Sequence, residues 1–264
     1  MKDKIKIGLA LGAGAARGFA HIGVIKALNE NNIPIDMVSG CSMGAFIGAL
    51  YVTGSDLDML ANLISIYGMN KIRDFSFNNK QGIIKGEKAE TLIRLLTKNK
   101  TFKETSVPFT CVAVRLRDGK LKVFDKGKIY DAVRASISMQ GIFLPKDING
   151  ELYVDGAIVE RVPVQTVKSM GADMVIGVDV SYRGEDQKSP KNVMQLMQQA
   201  MNIMSYEIAK SKMYKADVLI LPSVREISPF SNSQVEECVD IGYKRTLDSI
   251  DAIKEKIEEI KSNS

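Results

Sequence analysis

Ile35-Asp36-Met37-Val38-Ser39-Gly40-Cys41-Ser42-Met43-Gly44-Ala45-Phe46 reads as a strand, a sharp turn and the opening of a helix. Ile35 to Ser39 is a short apolar run suited to a buried strand, and Met43 to Thr53 continues in apolar and small residues long enough for a helix. Between them stands Gly-x-Ser-x-Gly, with Ser42 flanked by Gly40 and Gly44. A serine on so tight a strand-to-helix turn presents its hydroxyl outward, and the strain leaves no room for larger neighbours. Ser42 is therefore a candidate nucleophile. With 21 glycines in the chain the pattern also arises without chemistry, as a plain tight turn.

Outward from this stretch the same alternation repeats. Strand-like runs at Ile5 to Leu11, Phe109 to Arg115, Lys120 to Phe124, Glu151 to Val154, Met174 to Val180 and Asp217 to Leu221 are interleaved with helical segments. These are Gly18 to Asn31, Ile129 to Ser136, Asn192 to Lys215 and a final helix near Val235 to Lys261. Strand–helix alternation predicts an α/β fold, a three-layer sandwich in which helices cover both faces of a largely parallel central sheet. Chemistry in such sheets collects at the carboxyl ends of the strands. Repeats and Pro/Gly/Ser-rich linkers are absent, so residues 1–264 are read as one domain, with a helical completion over about 190–261. In the long segment Asn192 to Lys215, Val193, Met197, Ala200, Met204 and Ile208 recur at helical spacing, widened by Met194 and Met201. Core packing is the expectation for that stripe, and an adaptable wall for an acyl chain is the alternative. Gly68 to Gly86, with Phe75 and Phe77 among polar residues, reads as a surface loop or a flap.

The 264 residues are 45% hydrophobic and 25% charged, which excludes disordered, collagen-like and disulfide-scaffold classes. Cys41, Cys111 and Cys238 are few, odd in number and far apart, as free thiols in a reducing compartment would be, so the cytosol is the expected location. His21 is the one histidine, and no usual ligand spacing surrounds it, so no metal site is expected. No apolar run reaches the ~18 residues of a membrane span. Lys2, Lys4 and Lys6 before Ile7 to Ala16 imitate a signal peptide; a buried first strand followed by a tight loop is the better reading. The net charge of +5 is unevenly spread, for Lys71 to Lys128 holds 15 basic against 6 acidic residues. A solvated face is the expectation there, with transient contact with an anionic membrane surface as the alternative. Aromatic residues are not interleaved with the lysines, so no nucleic-acid partner is expected.

Two further stretches complete the site. Gly12-Ala13-Gly14-Ala15-Ala16-Arg17-Gly18 follows the first strand and opens a helix, offering backbone amides to an anion. It lacks the P-loop Lys-Ser/Thr ending and the ribose-binding acidic residue of dinucleotide folds, and a structural turn competes with it. The nucleophile also needs a base. His21 precedes Ser42, whereas α/β-hydrolases run serine, acid, histidine, so that fold is set aside and His21 is read as structural or as orienting the loop. A carboxylate or lysine must serve instead. Leu152-Tyr153-Val154-Asp155-Gly156-Ala157 ends a strand on an aspartate, although Asp-Gly is by itself an ordinary turn dipeptide.

Glycine-rich loop ending in Arg17-Gly18, then the Ser42 elbow, then Asp155-Gly156-Ala157 is an order that resembles the patatin-like phospholipases. The resemblance runs from Ile7 to Val164. Supporting stretches are Phe19-Ala20-His21-Ile22-Gly23-Val24, Gly44-Ala45-Phe46-Ile47-Gly48-Ala49-Leu50-Tyr51, Val107-Pro108-Phe109-Thr110, Arg134-Ala135-Ser136-Ile137-Ser138 and Val162-Pro163-Val164. It implies a Ser42 nucleophile and an Asp155 general base, with Gly14, Ala15, Arg17 and Gly18 around the oxyanion and Gly40, Gly44, Gly156 and Ala157 shaping the two motifs. Ala13 and Ala15 stand where the family commonly has glycine, and Gln140 where it often has proline. An alanine amide donates equally well where φ need not be positive. The implied activity is hydrolysis of a lipid ester through an acyl-enzyme, with no metal or organic cofactor. Acyl transfer to an alcohol by the same residues, or a non-catalytic module that binds phosphate or acyl groups, are the alternatives. Head group, chain length and oligomeric state are not encoded in these motifs.

Overall fold

The computed structural model describes residues 5–67, 84–181, 184, 189–227 and 234–263. Lys2, Lys4, Phe75 and Phe77 lie outside the described residues.

Among the described residues eight strands form one sheet: β1 (Ile7–Leu11), β2 (Met37–Cys41), β3 (Phe109–Arg115), β4 (Leu121–Phe124), β5 (Lys146–Ile148), β6 (Glu151–Asp155), β7 (Met174–Val178) and β8 (Val218–Ile220). The run β3-β2-β1-β7-β8 is parallel, and β4, β5 and β6 add an antiparallel edge. The helices are α1 (Ala20–Glu30), α2 (Met43–Thr53), α3 (Leu57–Tyr67), α4 (Glu87–Leu96), α5 (Ile129–Ser136), α6 (Val164–Ser169), α7 (Val193–Met213), α8 (Val235–Leu247) and α9 (Ile250–Ser262).

Side chains alternate across the sheet with the period of two that a strand imposes. Ile7, Leu9 and Leu11 point into the larger core with Ile22 and Leu28 of α1, Ile47 and Leu50 of α2, Cys238 of α8 and Ile253 of α9. Ala10 points the other way, against Val164 and Val167 of α6 and Met213 of α7. Both faces are thus covered, and every residue of β1, β2 and β7 is buried, as a central parallel sheet requires. The three-layer α/β expectation is met. All three cysteines are buried and free, and no helix among the described residues is long and apolar enough to cross a membrane.

Several expectations are corrected. The first helix begins at Ala20 rather than Gly18, because Ala15–Phe19 forms a tighter 3-10 turn ahead of it. The final helix is two, broken at Asp248 and Ser249; Ile250 and Ile253 are buried, and the break lets them turn into the core. Four elements lie outside the sequence reading: β5 and α6 are short, α4 is rich in charged residues, and α3 is an apolar helix of eleven residues. The largest correction concerns α7. Its stripe of Val193, Met197, Ala200, Met204 and Ile208 is exposed instead of packed in the core, since α7 rests on the body through Ser205, Ala209 and Met213. The basic middle segment is only partly described, and within it Lys98, Lys100 and Lys128 brace the carbonyls of Gly54, Thr53 and Asn99.

Candidate active site

Strand β3 brings the two halves of the site together. On one edge it pairs with β4, from Cys111 to Val114. On the other it pairs first with β2, Val112 opposite Cys41, and then with β6, Ala113 opposite Asp155. The carboxyl ends of β2 and β6 therefore meet head to head along one edge of β3. Ser42 follows Cys41 directly, so it lands beside Asp155.

The elbow has the strain its sequence predicts. Ser42 sits at φ 54°, ψ −121°, a left-handed conformation that L-residues adopt only under constraint. A Cβ on Gly40 would stand 2.4 Å from the backbone of Ala45, and one on Gly44 2.2 Å from the carbonyl oxygen of Leu11. Both glycines are sterically required. The backbone amide of Ser42 donates to Ser136 Oγ at 2.8 Å, and that hydroxyl donates to the Val112 carbonyl at 2.7 Å. Ser136 thereby satisfies a buried N–H that the turn removes from the sheet ladder.

Ser42 Oγ donates to Asp155 Oδ2 at 2.5 Å. Asp155 Oδ1 accepts from the Ala157 amide at 2.9 Å and from the Cys41 thiol at 3.8 Å. Its own amide donates to Ser138 O, and its carbonyl accepts from Gln140 Nε2 at 3.3 Å. Burial pushes the Asp155 carboxyl up from its ordinary 3.8 to about 6, against the downward pull of the bonds from Ser42, Ala157 and Cys41. The carboxylate is thus more basic than an exposed aspartate and still ionised at neutral pH, as a general base must be. Burial and the neighbouring Asp155 raise the Cys41 thiol well above its ordinary value, so it stays protonated and donates.

In the glycine-rich loop the amides of Gly12 and Ala13 donate to Val178 and Arg161 carbonyls. Those of Gly14 and Ala15 meet no carbonyl among the described residues, and both residues line the cavity that also holds Ser42 and Asp155. Ala15 adopts φ 49°, the left-handed region where glycine would be unstrained. Arg17 and Gly18 are placed differently. The amide of Arg17 closes onto Gly14 O, and its guanidinium donates to the carbonyls of Ile227 at 2.8 Å and Arg225 at 2.9 Å, which ties the loop to the segment after β8. Gly18 makes room for Met43, whose Cγ would lie 2.2 Å from a Cβ there. Gly156 similarly clears the Val112 carbonyl.

His21 is wholly buried and its Nε2 donates to Gly12 O at 2.8 Å. Burial lowers its pKa from 6.5 to about 4, so the ring is neutral and orients the loop. It makes no hydrogen bond to Ser42. The cavity above the pair measures about 1150 Å³ and is walled by Gln140, Arg161 and the Gln195, Gln198 and Asn202 side of α7. Among the described residues no group of three His, Cys, Asp or Glu is arranged to hold a metal. Sequence reasoning passed over Ser136 and Cys41 as contributors to the site: both stood inside quoted motifs, but only the β2–β3–β6 register shows what they touch.

Comparison with known proteins places the chain in a family. Residues 9–168 match the family described as patatin-like phospholipase. An uncharacterised NTE family protein of Mycobacterium tuberculosis is 33% identical over 178 residues, 67% of this chain and 49% of that protein. A lysophospholipase NTE1 of Pyricularia oryzae is 24% identical over 287 residues, covering 95% of this chain and 19% of that protein. The chain spans about half the length of the former and less of the latter. Among solved structures, VipD from Legionella pneumophila superposes with a TM-score of 0.52 at 15% identity over 94% of this chain and 67% of that chain, a likeness of fold.

Proposed function

Because the chain belongs to the patatin-like phospholipase family, we propose that it is a serine lipid acyl hydrolase that cleaves carboxylic esters through a Ser42–Asp155 dyad. The observation that carries this reading is the 2.5 Å hydrogen bond from Ser42 Oγ to a buried carboxylate, made by a serine held on a strained elbow. Asp155 Oδ2 takes the hydroxyl proton as Oγ bonds to the ester carbon. The carbonyl oxygen gathers negative charge within reach of the Gly14 and Ala15 amides, fixed dipoles that need no reorganisation. Collapse expels the alcohol, which takes the proton from Asp155 and leaves an acyl group on Ser42. Water then gives a proton to Asp155 and adds to the acyl carbon; collapse releases the fatty acid and returns the proton to Ser42. No step calls for a metal or an organic cofactor.

A fluorophosphonate probe tests the reading, because it labels only an activated serine. Wild-type protein should be labelled and should hydrolyse short-chain aryl esters; Ser42→Ala should do neither while keeping its far-UV circular dichroism. An unlabelled wild type, or ester turnover retained by Ser42→Ala, would refute it.

A further inference from the structure

Helix α7 is amphipathic the wrong way round for a soluble surface helix. Gln195, Gln198, Asn202 and Ser205, with Met201 among them, face the protein and its cavity, and Ser205 Oγ donates to the Ala157 carbonyl beside Asp155. The apolar side faces out. Val193 is 71% exposed, Met197 58%, Met204 63% and Ile208 45%, and Leu196 and Ile203 extend the arc. At 100° per residue these six side chains fall within one arc of a helix ~31 Å long, an arc that also holds Glu207, whose carboxylate lies 4.0 Å from Lys210 Nζ. An exposed, largely apolar face of this size marks a surface that another phase or partner covers.

The charges around it select the partner. Between Lys191 and Lys215 the chain has four lysines, Lys191, Lys210, Lys212 and Lys215, and one carboxylate, Glu207. A second copy packed antiparallel on this face would set Lys191 against the partner helix's lysine-rich end, which disfavours self-association. Anionic head groups complement the same pattern, and methionines adapt readily to a fluid apolar layer. We propose that the outer face of α7 docks on an anionic phospholipid bilayer. The docking does not rest on the proposed lipid hydrolysis.

The test uses the full chain carrying Ser42→Ala, so that vesicles stay intact, in co-sedimentation with phosphatidylcholine vesicles with and without phosphatidylglycerol. Binding to the anionic vesicles is expected, weaker on neutral ones and falling with salt. Met197→Asp with Met204→Asp should lower the partition coefficient more than ~10-fold. In the Ser42-intact chain the same pair should leave aryl ester hydrolysis unchanged. Lys191→Glu with Lys210→Glu, which keeps the apolar face, should remove the preference for anionic lipid. Equal binding by parent and Asp variants, or no binding to any vesicle, would overturn the proposal. So would a dimer in light scattering that the Asp pair dissociates, since the face would then belong to a second copy. Loss of ester hydrolysis from every protein would refute the proposed activity and leave the vesicle results to decide the docking.

Discussion

Replacing Asp155 by Asn separates what the carboxylate does for catalysis from what it costs the fold. The carboxyl titrates at about 6 in the folded protein against 3.8 ordinarily, so between those values the native state holds a proton that the unfolded chain has released. Stability therefore falls as pH rises through this window. The penalty is under about 1 kcal/mol at pH 4 and grows to about 3 kcal/mol at pH 7, above which it levels off. Asparagine keeps the shape and can still accept from the Ala157 amide, but it has no charge to desolvate. In urea unfolding followed by far-UV circular dichroism, suited to a chain without tryptophan, Asp155→Asn should gain on the wild type as pH rises from 4 to 7, by about 2 kcal/mol. Ester turnover should fall by at least ~100-fold, since the acceptor for the serine proton is gone. A stability difference that does not change with pH, or one that turns against the variant as pH rises, would refute the claim that Asp155 is a desolvated base.

Four further outcomes are expected. The pH dependence of kcat should show one acid limb near pH 6, with activity gained as Asp155 ionises; a limb near 4 would refute the raised carboxyl. Ser136→Ala strands the buried Ser42 amide and should cost ~1–3 kcal/mol in denaturant unfolding and lower kcat more than KM. Ala15→Gly relieves the left-handed backbone and should raise the unfolding free energy by up to ~1 kcal/mol with ester turnover kept. Chelation with EDTA should leave the hydrolysis rate unchanged; a loss that calcium restores would count against a metal-free dyad.

The elbow was legible because its reason is local. Gly40 and Gly44 are required by contacts with Ala45 and Leu11, the first of them within five residues. Asp155 was not legible in that way. It lies 113 residues from Ser42, and only the resemblance of the ordered motifs paired them; nothing in the spacing of Asp155-Gly156 separates a base from a turn. Ser136 and Cys41 were silent for the same reason, since their partners depend on strand register. Helix α7 shows the opposite failure. Its periodicity identified an amphipathic helix correctly, but periodicity states that one side differs from the other and not which side the protein covers.

Along β3, Cys41, the residue before Ser42, and Asp155 are one position apart, Val112 to Ala113, however far apart they are in the chain. That strand acts as a ruler, helped by the segment from Ser136 to Gln140, which holds the Ser42 amide and the Asp155 backbone. Insertions in the connections outside these segments can therefore grow, and lids or specificity loops can be grafted there, without displacing Ser42 from Asp155. A single residue added inside Phe109–Arg115 or Glu151–Asp155 has the opposite effect: it displaces one partner by ~3.4 Å and turns its side chain to the other face of the sheet. The fold's tolerance to length change is thus divided sharply between twelve strand residues that permit none and connecting chain that permits a great deal.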